Sequence, residues 1–347
     1  MSRKSEVITT ETPEKFQFAV KKAAALLRAG GIVALPTETV YGLAANALDP
    51  AAVEGIFEAK GRPAHNPVIV HVADVEMARR CAGEWPELAQ RLADEFWPGP
   101  LTLVVERADE APDVVTAGGE TVGIRRPRHL FFEAVIRECG FPLAAPSANV
   151  SNQLSPTTAA HVAEQMTGRV PLIVDGGACE VGIESTVVDA TGNRPVVLRP
   201  GMIGEGELLR VWERESAGVG RMEEEKKDED ASNPAPLRSP GQLSRHYAPK
   251  AKLIVLKWTN EAELADRLKE LQVDPADACL VTFGSKATVG GWKEIIRLPS
   301  APAAAARALY ASLHEADRVG GSWIVAEALP PGPEWRALGD RLKWASA

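Results

Sequence analysis

Long apolar runs, paired cysteines and a basic excess are all missing from these 347 residues. No stretch approaches the ~20 consecutive apolar residues that cross a bilayer, so no membrane contact is expected. The opening MSRKSEVITTETPEKF lacks the apolar core of a secretory signal, which argues against export. Cys81, Cys139, Cys179 and Cys279 stand far apart with no CxxC pair. They are expected to be reduced, mostly buried thiols of a cytoplasmic protein, neither a disulfide framework nor a metal site. Familiar phosphate and metal signatures are absent too: no GxxxxGK(S/T), no GxGxxG, no HExxH and no clustered His/Cys. Ordinary P-loop, Rossmann-type phosphate binding and zinc chemistry therefore have no support.

The formal net charge of -8 weighs against a generally basic nucleic-acid binder. Part of it is local. Residues 213–230 carry eight acidic and four basic side chains, which is -4 and leaves -4 for the rest. A local positive cleft stays open. An apolar fraction of 45% and a charged fraction of 25% are ordinary for a globular protein, and the length favours two domains.

From Val20 to about Arg210, short apolar runs alternate with helical patterns, as in an α/β sheet domain. Strands are expected at 31–35, 68–72, 101–105, 121–125, 172–175, 186–189 and 196–199. Asp49-Pro50 supplies an N-cap and a first-turn proline, Val53, Ile56 and Phe57 one apolar face, and Lys60-Gly61 the stop. Apolar periodicity disappears from Ser216 to Pro240, which reads as a solvated linker. Beyond it, strands at 252–256, 278–283, 295–298 and 323–326 alternate with helices at 261–271 and 302–316, a second α/β unit of about 100 residues.

Five polar clusters interrupt the first domain. Pro36-Thr-Glu-Thr-Val-Tyr-Gly-Leu43 follows the 31–35 strand, and in open α/β sheets ligands collect beyond such ends; a polar turn explains it equally well. Lys60-Gly-Arg-Pro-Ala-His-Asn-Pro67 pairs a point charge with a fork-shaped cation, a combination suited to phosphates. Cations at a helix end can also merely complement its dipole. Thr121-Val-Gly-Ile-Arg-Arg-Pro127 puts Arg125 and Arg126 on opposite sides of a strand, so one should face a pocket. Ala144-Ala-Pro-Ser-Ala-Asn149, with Ser155-Pro156 after it, allows close approach to the backbone; Ser147 reads as a hydrogen-bond donor, because no GxSxG context makes it a nucleophile. Gly182-Ile-Glu-Ser-Thr186 and Leu198-Arg-Pro-Gly201 flank strands. Singly, each is structural more often than functional.

In this order the clusters resemble the threonylcarbamoyl-AMP synthase family. PTETVYGLA, KGRPAHNPVIVHV, TVGIRRP, APSAN and GIESTVVD follow its pattern over about residues 16–210. Ser239-Pro-Gly-Gln-Leu-Ser-Arg-His-Tyr-Ala-Pro249 is similar to the linker signature of its two-domain Sua5 type. The resemblance implies an N-terminal YrdC-like twisted-sheet α/β domain (1–213), a flexible linker or lid (214–250) and a smaller C-terminal Rossmann-like α/β domain (251–347). It implies synthesis of L-threonylcarbamoyladenylate from L-threonine, bicarbonate and ATP, with magnesium accompanying the nucleotide. That product serves modification of adenosine 37 in tRNAs reading ANN codons, through downstream tRNA threonylcarbamoyl-transfer proteins, with at most weak RNA contact by this chain.

By motif position, ATP contacts fall to Lys60, Arg62, Asn66, Thr121, Ser147, Asn149, Ser155, Arg199 and Tyr247, with Lys60 and Arg62 as catalytic cations. Threonine contacts fall to Thr39, His71, Arg125, Ser185 and, through its backbone, Ala145. Arg125 suits the substrate carboxylate. No protein metal ligands are implied. Tyr247 is expected to close over the nucleotide, with His246 or Arg245 reaching phosphates. Two rivals remain: an RNA-binding module, disfavoured by the acidic balance, and a carbamoyl-transfer domain like that of hydrogenase maturation factors, whose acylphosphatase-like and zinc-finger segments have no counterpart in this sequence.

Overall fold

The structure is a computed structural model that describes residues 5–63, 65–216, 247–283 and 290–346. The first part of the chain lays down β1 (Glu6–Thr9), α1 (Pro13–Arg28), β2 (Val33–Leu35), β3 (Gly42–Asn46), α2 (Pro50–Lys60) and β4 (Val70–His71). It continues through α3 (Val75–Cys81), α4 (Glu87–Phe96), β5 (Leu101–Glu106), α5 (Asp113–Thr116), β6 (Thr121–Arg125) and α6 (Leu130–Cys139). Then come β7 (Leu143–Ala144), α7 (Ala159–Met166), β8 (Leu172–Asp175), β9 (Thr186–Asp189), β10 (Val196–Arg199) and α8 (Glu205–Ser216). The strands form one mixed ten-stranded sheet in the order β1-β8-β2-β3-β7-β4-β6-β5-β9-β10.

Local chemistry sets the helix ends. Thr12 caps α1 by accepting from the Lys15 N–H, and Pro13 sits in the first turn. Asp49 accepts from the Ala51 and Ala52 N–H groups to start α2; Gly61, at φ 62, ends it in the left-handed region. Val53, Ile56 and Phe57 are buried as the periodicity requires. Two expected strands are shorter than their apolar runs, β2 starting at Val33 and β4 covering only Val70–His71.

β1, β3 and β7 leave no mark in the pattern. Gly42-Leu-Ala-Ala-Asn46 has no β-branched residue, yet β3 pairs antiparallel with both β2 and β7. Its small side chains have a steric role instead. A Cβ on Gly42 would lie 3.2 Å from the Ala145 Cβ, so bulk at either position would separate the two chains.

The second unit contains β11 (Lys252–Leu256), α9 (Glu261–Glu270), β12 (Ala278–Phe283), β13 (Glu294–Leu298), α10 (Pro302–Val319), β14 (Trp323–Glu327) and α11 (Arg336–Ala345). Its four strands are all parallel, in the order β11-β14-β12-β13. None of the described helices is long and apolar enough to cross a membrane.

The two units share a core. Val40, Leu154 and Ile183 of the first pack into one apolar cluster with Leu309, Tyr310 and Leu313 of α10. His161 of α7 stacks on His314 of α10 with ring centroids 3.9 Å apart, and His314 Nε2 lies 3.1 Å from the Ser155 carbonyl oxygen. The two units also approach closely at Gly182. Its N–H donates to the Thr39 carbonyl at 3.1 Å, its φ is 81°, and a Cβ there would fall 2.5 Å from the Arg307 Cα.

Gly182→Ala is therefore expected to weaken docking of the second unit by roughly 2–4 kcal/mol, through left-handed strain plus overpacking. The check is small-angle scattering with a thermal melt. Docking predicts a larger radius of gyration and a separated low-temperature transition; an unchanged profile and melt would contradict it.

Candidate active site

Pro36 cannot donate to the sheet, so pairing stops after β2 and residues 37–41 turn inward, all of them buried. The Thr37 hydroxyl donates to the Val40 carbonyl at 2.6 Å and accepts from the Thr39 N–H at 3.1 Å. Thr39 Oγ1 then receives Arg125 Nη1 at 2.9 Å. Arg125 ends β6 and is clamped on two further sides. Its Nη2 lies 2.7 Å from the fully buried Glu38 carboxylate, and its Nε donates to the Gly99 carbonyl at 3.3 Å. The second Glu38 oxygen accepts from the Arg128 N–H at 2.9 Å. Arg126, one residue on, points the other way toward Glu133, as strand alternation demands.

Arg62 leaves α2 through the left-handed Gly61, and its guanidinium donates to the carbonyls of Asn66 at 3.1 Å and Pro67 at 2.7 Å. Arg199 closes β10 with Nε and Nη2 at 3.2 and 3.0 Å from the Ser185 carbonyl, and Nη2 also reaches Ser185 Oγ at 3.1 Å. Thr102 Oγ1 stands 2.8 Å from the same hydroxyl.

These groups meet around one cavity of about 50 Å³. Thr39, His71, Arg125, Ala145 and Ser185, the residues expected around threonine, all line it. Arg62, Ser147, Arg199 and Tyr247 of the nucleotide set line it too. The Ala145 N–H donates to the Ile69 carbonyl at 3.0 Å, so that donor is already engaged. Burial, with Arg125 adding to it, pushes the His71 imidazole down to about 3; the ring is neutral near pH 7, and its buried Nδ1 has no hydrogen-bond partner among the described residues. Burial lowers Arg62 to about 10, against the opposing effect of Tyr247, and it remains a cation. A volume of this size admits a few waters and no nucleotide.

The other expected contacts stand off the cavity. Lys60 was expected as a point charge beside phosphates. Instead its buried ammonium sits 2.5 Å from the Ser147 carbonyl, 2.7 Å from the Asn149 carbonyl and 3.3 Å from Asn149 Oδ1, which uses all three of its donors. Asn149 turns its amide nitrogen to the carbonyls of Val150 and Gln153, both at 2.8 Å. Lys60 and Asn149 thus brace the loop that carries Ser147. Ser155 Oγ donates to Glu184 Oε1 at 2.5 Å. Thr121 borders a separate pocket of about 10 Å³ lined also by Val68, Thr102, Val115 and Val187. Asn66 is fully buried with neither side-chain polar atom partnered among the described residues. Arg245 and His246 lie outside the described residues.

Sequence reasoning passed over Glu38 and Glu184, although both lie inside quoted clusters. The available signal was a carboxylate between hydroxyl or apolar residues with no capping position to fill. Tyr310 and Arg341, in the second unit, gave no signal.

Residues 25–201 match the Sua5/YciO/YrdC family model, described as Telomere recombination, and residues 205–347 match the model described as Threonylcarbamoyl-AMP synthase, C-terminal domain. The threonylcarbamoyl-AMP synthase of Pyrococcus abyssi is 39% identical over 333 residues, 95% of this chain and 94% of the relative. The chain belongs to the threonylcarbamoyl-AMP synthase family. The threonylcarbamoyl-AMP synthase of Bacillus subtilis is likewise 39% identical, over 99% of this chain and 95% of its own length. A crystal structure of P. abyssi Sua5 complexed with L-threonine matches with a TM-score of 0.84 at 39% identity, covering 99% of this chain and 98% of that one. The mixed N-terminal sheet and the all-parallel C-terminal sheet are thus the two-domain form of the threonylcarbamoyl-AMP synthase family.

Lys60→Met should leave three carbonyl-type acceptors unpaired. The expected loss is about 2–4 kcal/mol of stability, with faster hydrogen exchange at 147–151. A variant that melts with the parent and keeps its exchange pattern would return Lys60 to the role of a free cation.

Proposed function

We propose that this chain condenses L-threonine with bicarbonate and joins the carbamate to the α-phosphate of ATP, releasing pyrophosphate and L-threonylcarbamoyladenylate. The observation that carries the reading is the convergence of Arg62, Arg125 and Arg199 with hydroxyls of Thr39 and Ser185 at one buried cavity, in a chain of this family. The threonine amine and bicarbonate give a carbamate and water; a carbamate oxygen attacks the α-phosphorus, and the bond to the β-phosphate oxygen breaks. No enzyme nucleophile is needed. The protein has to hold two anions in line and answer charge developing on phosphate.

Arg125 has five N–H donors; among the described residues, hydrogen bonds to Gly99 and Thr39 take two, while Glu38 lies in ion-pair contact with Nη2. One N–H on Nη1 and two on Nη2 remain for the two oxygens of the threonine carboxylate. Arg62 and Arg199 are the cations for the phosphates. Magnesium does not fit as a resident ion: among the described residues no three His, Cys, Asp or Glu side chains converge, and Glu38 and Glu184 are both held by arginines. An ion arriving with ATP would take its ligands from phosphate and water.

The cellular setting follows from the same reading: a cytoplasmic enzyme, consistent with four buried free thiols, that passes a reactive product to tRNA threonylcarbamoyl-transfer proteins with at most weak RNA contact. The division at 213/214 and 250/251 belongs to this proposal as well; α8 runs on to Ser216, beyond the first of these edges.

Pyrophosphate release should require threonine, bicarbonate and ATP together. Serine should retain measurable turnover, because a missing methyl is worth ~1–3 kcal/mol, whereas valine should be rejected more strongly by polar groups left unpaired. Release that is independent of bicarbonate, or equal use of valine and threonine, would sink this reading.

The segment 239–249 is proposed to act as a lid. Tyr247, with φ 61, is buried at the cavity, and the Ala248 N–H donates to the Asn152 carbonyl at 2.9 Å. Tyr247 occupies the space next to Arg62 and Arg199, so admitting ATP requires this tyrosine to shift. Limited proteolysis with and without ATP plus threonine tests it: cleavage within 239–249 should slow with ligands bound, and an unchanged rate would reduce the segment to a spacer.

A further inference from the structure

Glu184 is an unexpected neighbour for a site that takes a polyphosphate. It lines the cavity beside Arg62, Arg199 and Tyr247. An ionised carboxylate buried there opposes an incoming anion unless another charge answers it. That charge comes from the C-terminal domain. Arg341, on α11, is fully buried; its Nε donates to Glu184 Oε2 at 2.6 Å and its Nη2 to the Glu184 carbonyl at 3.4 Å. The Tyr310 hydroxyl, on α10, lies 3.0 Å from Oε2. Asp340 Oδ2 holds Arg341 Nη1 at 2.5 Å, and the guanidinium carbon sits 5.3 Å from the ring centroid of Tyr247.

Burial pushes the Glu184 carboxyl toward its neutral form, but Arg341 and then Arg199 outweigh it, so the group is held below the usual carboxylate range. A domain docked only for stability needs no such pair. The apolar cluster around Leu309 and Leu313 already fastens it, and buried ion pairs are weak stabilisers. What the pair adds is a dependence of the cavity's charge on docking.

We propose that Arg341 is a positioning residue for the nucleotide: by neutralising Glu184 and backing the Tyr247 ring, it makes ATP capture depend on the docked C-terminal domain. This rests on the reading of the cavity as the ATP site. Arg341 touches no reacting atom. Removing it leaves at the phosphate subsite a carboxylate still held by the Ser155 and Tyr310 hydroxyls but stripped of its guanidinium partner, in the ground state and the transition state alike, which raises KM more than it lowers kcat.

The test uses the full chain, with steady-state pyrophosphate release at varied ATP and varied threonine and a thermal melt of each variant. Arg341→Met should raise KM for ATP at least ~10-fold while kcat and KM for threonine stay within about threefold. Adding Glu184→Gln to Arg341→Met should bring KM for ATP back to within about threefold of the parent, because the opposing charge is gone. A merely structural Arg341 would lower kcat through a smaller active fraction and leave both KM values in place. Should Arg341→Met fail to fold, Arg341→Gln and Arg341→Lys compare loss of the charge with its retention at similar size; equal KM for ATP in those two overturns the assignment. An unchanged KM in Arg341→Met, or a double variant no better than the single, overturns it as well. A parent chain that releases no pyrophosphate sinks the ATP reading itself and is thereby told apart.

Discussion

Burying several cations in and beside one cleft is the constraint on which the rest of this architecture depends. Lys60, Arg62, Arg125 and Arg199 are each less than a tenth exposed. Each must recover the hydration it loses, and each does so mainly from oxygen atoms outside the regular sheet pairing. Arg62 uses the carbonyls of Asn66 and Pro67, Arg125 that of Gly99, Arg199 that of Ser185, and Lys60 those of Ser147 and Asn149. A carbonyl committed to a strand ladder has less capacity left for a guanidinium. The motifs therefore have to be mostly loops, and Pro36 and Pro67 keep theirs from joining the sheet.

That requirement ties the site to the unusual local sequence around it. Short strands such as β4 and β7 end early so that their neighbours can turn into the cleft. Small residues at Gly42, Ala144 and Ala145 let two chains run close enough to wall it. Charge balance completes the arrangement, with Glu38 assigned to Arg125 and Glu184 to Arg341. One of these pairs is internal to the first domain. The other crosses to the C-terminal domain, so the second sheet is joined to the site electrostatically as well as by packing.

The threonine residues of the PTET turn show how little of this is visible locally. Thr37 and Thr39 share a residue type and a motif, yet Thr37 turns inward to close the loop while Thr39 meets Arg125. Lys60 and Arg62 read as twin phosphate ligands, but their paths diverge at Gly61. The lysine, still on α2, is directed into the 147–149 loop, and the arginine lies beyond the left-handed turn and lines the cavity. Tyr247 carries a positive φ that no composition rule assigns to a tyrosine.

Periodicity and capping were enough to determine the α/β class, most of the strands and the limits of α2, because those depend on residues a few positions apart. Order along the chain was enough to recognise the family. Residue types alone also required that Arg125 and Arg126 part company, since side chains alternate along a strand. Three further matters needed the folded chain: which cations face the cavity, which carboxylates answer them, and that Arg341 and Tyr310 reach Glu184 from more than 100 residues away. Electrostatic pairing in a dry interior is fixed by distances of a few ångströms between segments remote in sequence, and only tertiary packing sets those distances.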